Sequence, residues 1–270
     1  QKIIEFCKAQ FDISLHTLHL IRNYAATWLG LGDGLAVPWR HVPHTMINTK
    51  VSGARRFVAQ SWSMGRIRAV SRAADVTIND VVLAMCAGAL RRYLEEHDEL
   101  PKHSLRALVP VSVRRENDFD SPVAISYIVA DLGTRQEDPI DRLETIIEST
   151  RAGKAMLSEL SPREASLYAT LIQTPLFVAS MMGVAVWFPP VSTVISNVPG
   201  PRQPLYLNGA ALQGVYPMSA VFHGFALNIT FVSYHDNLDF GIVACRQTVP
   251  HVQRLIDYLE QSLAELEAAV

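Results

Sequence analysis

The sequence lacks a charge imbalance. Its 24 Lys and Arg stand against 26 Asp and Glu, for a net charge of −2, and charged residues make up 19% of the 270. No global basic field exists to hold nucleic acid or an anionic membrane by charge alone. Cysteine is scarce: Cys7, Cys86 and Cys245 are far apart and odd in number. With no CxxC pair, a zinc ribbon and a thioredoxin-like redox couple are excluded, and buried thiols in a reducing compartment are expected. The chain also has no GxSxG elbow, no Walker A loop and no HExxH helix, so those reaction classes lose their usual markers. It has no signal-peptide core and begins Gln1-Lys2-Ile3 without an initiator Met, so it reads as the middle of a gene product.

What is abundant is apolar. Hydrophobic residues make up 49%, which excludes a disordered chain and suggests greasy substrates or a membrane surface. The length allows one large domain or two modest ones. Apolar spacing predicts a helix over 1–35, then a Gly-rich and Pro-rich break at 30–43. Gly30-x-Gly32-x-Gly34 has no preceding strand and is read as a loop rather than a dinucleotide fingerprint.

A strand is expected at 56–62, a short helix at 64–74 and a strong helix at 78–96. The strong helix opens on Thr77 and Asp80, an approximate capping box. The nearly continuous apolar runs 105–113 and 123–130 predict strands covered on both faces. Helices at 138–159 and 162–184 follow, then strands near 192–197, 205–207, 224–233 and 238–244, and a last helix at 250–268. The order is mixed α/β, and a sheet with packed helices is the simplest architecture.

Residues 165–201 contain no Asp, Glu, Lys or Arg. The run 177–188, bracketed by Pro175 and Pro189-Pro190, is too short for the ~20 residues of a spanning helix. It reads as a buried core helix, a substrate-channel wall or an interfacial helix. His16-x-x-His19 and His41-x-x-His44 have metal-like spacing but no completing ligands, so no metal site is assigned. Two polar concentrations remain. Asn79-Asp80 sits at a helix start, where capping accounts for Asp80 and explains Asn79 less well. Ser196-Asn197-Val198-Pro199-Gly200-Pro201 is a strand end running into a stiff turn, either a plain loop or a rigid element at the mouth of a site.

These residues, with Leu108-Val109-Pro110-Val111-Ser112-Val113-Arg114, Tyr216-Pro217-Met218-Ser219, Ala226-Leu227-Asn228-Ile229-Thr230 and Leu238-Asp239-Phe240-Gly241, carry a resemblance. The chain is similar to the C-terminal half of the bacterial bifunctional wax ester synthase/acyl-CoA:diacylglycerol acyltransferases, over nearly everything after residue 45. The resemblance implies an α/β fold like the coenzyme A-dependent acyltransferases, with the chloramphenicol acetyltransferase and condensation domains. The chain would be the second of two similar domains enclosing a tunnel, with residues 1–45 a helical inter-domain linker and 46–270 the C-terminal acyltransferase domain. The family's His-His-x-x-x-Asp-Gly signature is absent: the only Asp-Gly is Asp33-Gly34, and Leu29 stands where the second His belongs. The catalytic base is therefore expected on a separate or removed N-terminal half.

By the same resemblance, a neutral His would take the proton from a fatty alcohol or diacylglycerol hydroxyl as it attacks the acyl-CoA thioester, help worth roughly 10²–10⁴-fold. Donors would meet the oxyanion, and no acyl-enzyme, metal or cofactor beyond acyl-CoA as substrate is implied. Asn79 and Asp80 match a supporting motif, Asn79 as a direct contact or as scaffold. Asn197, Val198, Pro199, Gly200 and Pro201 would shape the tunnel, and Asn208, Gly209 and Ala210 would line an acyl or alcohol pocket. Arg114 and Arg115 would meet coenzyme A phosphates or remain a solvated pair. Ser121-Pro122-Val123 departs from a Gly-Asn pair usual in the family, so no role transfers there. A cytoplasmic protein resting on the inner membrane or lipid inclusions is implied, without nucleic acid. Two other readings stay open: a non-catalytic lipid-binding or assembly module, and a condensation-type enzyme using a carrier-protein thioester.

Overall fold

A computed structural model describes residues 35–112 and 125–270, together with Arg22 and Ala26, which are helical. The rest of the expected helix at 1–35, the loop at 30–34, Cys7, Arg114, Arg115 and the departure at 121–123 lie outside the described residues.

Six strands form one mixed sheet. They are β1 (Arg55–Ser63), β2 (Arg106–Ser112), β3 (Ile125–Asp131), β4 (Thr193–Val198), β7 (Leu227–Tyr234) and β8 (Asn237–Cys245), in the order β1-β8-β7-β4-β2-β3. The β4 strand runs parallel to both β2 and β7, and the other pairs are antiparallel. A separate hairpin joins β5 (Tyr206–Leu207) to β6 (Ala210–Ala211). The expected mixed sheet with packed helices is what forms. The run at 123–130 becomes the edge strand β3, with helices packed on it.

Side chains alternate across a strand, so the sheet has two distinct faces. One carries Trp62, Phe231 and Phe240, with ring centroids 4.9 and 5.3 Å apart, and is covered by helices. These are α1 (Met64–Ala73), α2 (Ile78–Glu96), α3 (Pro139–Ser158) and α5 (Arg254–Ala269). The capping box at α2 is formed as its sequence predicts, Thr77 and Asp80 each accepting from the other's backbone N–H at 3.2 Å. Asp80 also accepts from Thr150 Oγ1 at 3.0 Å, which ties the start of α2 to α3. Cys86 and Cys245 are free and buried.

The opposite face is covered by α4 (Pro162–Met181) and by chain without regular structure at 215–225. Asp239, fully buried, accepts from Ser61 Oγ at 2.6 Å and from Val215 N–H at 2.7 Å, anchoring this chain across the sheet. Gly241 lies directly beneath it, and a Cβ there would overlap the Pro217 carbonyl.

One helix expectation needs correction. Pro175 sits inside α4, as the expected helix at 162–184 has it, and α4 continues through it to Met181. The helix then ends short of 184 because Gly183 takes the left-handed conformation (φ 73°) that closes helix C-termini. In the segment at 35–45, Ala36, Val37, Pro38 and Thr45 are buried.

Gly241→Ala should therefore destabilise the chain by about 1–3 kcal/mol through overpacking. Thermal melting should show a lower midpoint, and an unchanged midpoint would contradict the close approach of residue 217.

Candidate functional site

Paired strand residues share a face, so Leu108, Val194 and Asn228 stand side by side across β2, β4 and β7. The β2–β4 ladder spans only Ala107 and Leu108. Beyond them Pro110 has no N–H to offer, and the strands are free to separate. Over this part of the sheet lies a cavity of about 450 Å³. Its floor is Leu108, Tyr127, Val194 and Asn228, and its roof is Leu176 and Phe177 of α4 with Phe222 and Phe225. Ser180 Oγ donates to the His223 carbonyl at 2.7 Å, clamping α4 to the 222–225 turn. The volume falls in the ~300–1,000 Å³ range of ligand pockets, with mostly apolar walls and a few convergent polar groups.

Those polar groups form a short relay. Ser219 and Thr230 hydroxyls lie 2.8 Å apart, and Thr230 Oγ1 donates to Asn228 Oδ1 at 2.8 Å. With its oxygen engaged, Asn228 is left to turn its amide N–H groups toward the cavity. Tyr127 and Gln173 are hydrogen-bonded to each other at the far side; burial pushes the Tyr127 phenol above its usual value and this bond lowers it. No lining residue titrates near neutral pH, so the lining itself offers no general base. The arrangement suits a long apolar ligand with one carbonyl or hydroxyl to orient.

The residues singled out from the sequence do not converge on this cavity. Asn79 and Asp80 belong to α2, on the helix-covered side of the sheet, and neither lines it. Asp80 is spent on the cap and on Thr150, whereas Asn79 is half-buried and its side chain makes no hydrogen bond among the described residues. Asn197, Val198, Pro199 and Pro201 are exposed at the C-terminal end of β4. Gly200 packs on the end of β7, where a Cβ would overlap the Ser233 carbonyl, and its N–H donates to Ser233 Oγ at 3.1 Å. This element begins at Asn197, three residues beyond Val194 along β4. Asn208, Gly209 and Ala210 do not line the cavity: Asn208 (φ 49°) and Gly209 (φ 83°) are the two turn residues of the exposed β5–β6 hairpin. An Asn-Gly pair between short strands is the signal for that turn.

Asn228, Thr230 and Ser219 lie in motifs that carry the resemblance, but the sequence reading gives them no site role. Their signal was present as two polar residues at i and i+2 in an otherwise apolar strand, which puts both on one buried face. The apolar run at 177–188 is not a buried core helix. Met181, Met182, Trp187 and Phe188 are each at least 70% exposed, and they continue outward from the cavity roof at Phe177. No single helix among the described residues is long and apolar enough to cross a membrane. Among the same residues, no group of three His, Cys, Asp or Glu side chains is placed to hold a metal ion.

Comparison with known proteins places this architecture. The WS/DGAT C-terminal domain family model matches residues 124–267, and the wax ester synthase/diacylglycerol acyltransferase catalytic domain model matches residues 22–82. A putative diacylglycerol O-acyltransferase of Mycobacterium tuberculosis is 51% identical over 229 residues, 84% of this chain and 51% of that protein. O-acyltransferase WSD of Acinetobacter baylyi is 42% identical over 228 residues, 84% of this chain and 50% of its own. The solved wax ester synthase/diacylglycerol acyltransferase from Marinobacter aquaeolei VT8 superposes with a TM-score of 0.75 at 39% identity, covering 95% of this chain and 57% of that one. A condensation domain of the CDA synthetase shares the fold, with a TM-score of 0.56 at 15% identity over 96% of this chain and 52% of that one. The chain belongs to the wax ester synthase/diacylglycerol acyltransferase family. It spans about half the length of the curated relatives it matches.

Replacing Asn228 by Ala would remove the acceptor of the Thr230 hydroxyl, which keeps Ser219 beside it, and should cost about 0.5–1.5 kcal/mol in thermal or urea unfolding. Ala220→Trp, at the exposed cavity mouth, should instead leave the melting midpoint unchanged while weakening binding of a fluorescent fatty-acid probe. Equal probe binding by both proteins would show that the ligand enters elsewhere.

Proposed function

We propose that this chain is the C-terminal half of an O-acyltransferase that moves a long-chain acyl group from acyl-CoA to a fatty alcohol or to diacylglycerol. One observation supports it most directly: the apolar cavity on the open sheet face, in a chain of this family, with amide and hydroxyl groups at one end. Burying an acyl chain there is worth about 0.8 kcal/mol per methylene. Asn228 and Tyr127 are placed to orient a carbonyl or hydroxyl, and the proton must be taken by a histidine outside this lining. That base belongs to the His-His-x-x-x-Asp-Gly signature on an N-terminal half. Residues 46–270 form the C-terminal acyltransferase domain, reached through residues 1–45, and acyl-CoA is a substrate rather than a resident cofactor.

Within this reading Asn79 acts across the domain boundary. A side-chain amide with no hydrogen-bond partner among the described residues is available to one in the other half. Asn197 to Pro201 form a stiff rim, and Arg114 and Arg115 remain candidates for coenzyme A. The exposed Met181, Met182, Trp187 and Phe188 cluster would rest on a membrane or lipid inclusion, bringing the cavity to water-insoluble substrate. That cluster equally suits a non-catalytic lipid-binding module, which would use the same cavity without turnover.

Acyl transfer from a long-chain acyl-CoA to hexadecanol separates the two. The chain alone should be inactive, and mixing it with the N-terminal half should restore turnover. Activity of the isolated chain would defeat the missing-base argument, and inactivity of the reassembled pair would favour the binding module. In the pair, Asn79→Ala should lower kcat with an unchanged melting midpoint. Vesicle flotation should be lost in Trp187→Ser/Phe188→Ser if that cluster meets lipid.

A further inference from the structure

A second pocket, about 300 Å³, opens at the start of β2. Arg106 lies on the same sheet face as Leu108, two residues or about 7 Å along the strand, so the pocket flanks the apolar cavity without using its residues. It gathers the His41 and His103 rings and the Arg106 and Arg135 guanidinium groups around a single carboxylate, Asp131, with Ser104 alongside. The two rings face each other with centroids 5.5 Å apart.

The cations here are poorly satisfied by the protein. A guanidinium carries five N–H donors. Half-buried Arg106 gives one long bond from Nη1 to the Val37 carbonyl at 3.4 Å, and its Nη2 stays 3.9 Å from Asp131. Its Nε is buried with no partner. The His41 and His103 rings and the Arg135 guanidinium make no hydrogen bond among the described residues. Burial, then the charges of Arg40, Arg106 and His103, hold His41 below its usual value, so these groups repel one another. The backbone supporting them is also strained. Trp39 (φ 61°) and His41 (φ 53°) are both left-handed without being glycine, and the Trp39 N–H is held by the Pro190 carbonyl at 2.9 Å. Such conformations persist where surrounding structure over-determines them, and they cluster at ligand clamps.

We propose that this pocket binds a phosphate group, with Arg106 and Arg135 as its main donors and His41 and His103 completing the cradle. A dianion would relieve the mutual repulsion and fill the unused donors. Arginine forks match its oxygens in pairs, whereas a metal ion would be repelled by the same charges. The phosphate can come from coenzyme A or from a phospholipid headgroup. The site stands on its own geometry and does not depend on the acyl-transfer reading.

Isothermal titration in low-salt, phosphate-free buffer tests it. The probes are inorganic phosphate, coenzyme A, dephospho-coenzyme A and dihexanoyl phosphatidate, each titrated into the 270-residue chain. At least one probe should saturate, and its dissociation constant should rise by about tenfold or more in His103→Ala/Arg135→Ala. Both residues are exposed, and circular dichroism should show that the variant keeps its fold. Arg106→Lys retains the charge but loses the fork, and should weaken the same probe. Coenzyme A binding more tightly than its dephospho form assigns the 3′-phosphate to the pocket, and equal binding assigns the diphosphate. Phosphatidate binding without coenzyme A assigns a lipid headgroup. Saturation by no probe, or unchanged affinity in the double variant, would overturn the proposal.

Discussion

The face of the sheet that α4 covers only in part is closed by irregular chain, and such chain carries backbone polar groups that must be satisfied while buried. Asn48 meets part of that demand. Fully buried, its amide donates to the carbonyls of Val191, Ser192 and Gly224 at 3.2, 3.0 and 3.1 Å, while Thr45 Oγ1 approaches its oxygen at 3.3 Å. Backbone bonds from Gly224 to Thr49 and from Ala226 to Ile47 reinforce the clasp. One side chain thus gathers the segment before β1, the entry to β4 and the turn carrying Phe222 and Phe225. Asp239 does the equivalent for residue 215 at the other end.

Between these two anchors the covering chain stands off the sheet, and the space beneath it is the cavity. The helix-covered face contributes rigidity, through the aromatic stack and the Asp80–Thr150 link, and contributes no lining residue from α2 or α5. Stability and ligand space are therefore divided between the two faces of one sheet. The basic pocket at Arg106 shares the open face, so an apolar chain and an anionic group can be met side by side. Met181, Met182 and Trp187 are exposed in the segment that follows the cavity roof at Phe177.

Much of this organisation was legible from residues alone. The α2 helix, its capping box and the strand-rich second half follow from spacing and from Thr77 with Asp80, because those signals are local. The family was legible too, since several short motifs recur in a fixed order. The site was less so. Asn79 and the 197–201 turn stood out because polar or stiff residues interrupt apolar sequence, yet neither lines the cavity. The residues that do line it come from β2, β3, β4, β7, α4 and a turn, spread from Leu108 to Asn228 and joined only by strand order. Asn208 to Ala210 entered through the family resemblance; locally, their Asn-Gly pair reverses the chain in an exposed hairpin away from this cavity.

Composition, taken by itself, determined that the chain is globular, carries no nucleic-acid-binding charge field and is rich in apolar surface. Motif order determined its family, and local spacing determined most elements. The tertiary structure alone decided which apolar residues are hidden and which are displayed. Phe231 and Phe240 are buried while Trp187 and Phe188 face outward, although all four sit in equally apolar sequence. Burial depends on what a residue's neighbours across the sheet leave uncovered, and that is a property of strand order and of the clasp at Asn48.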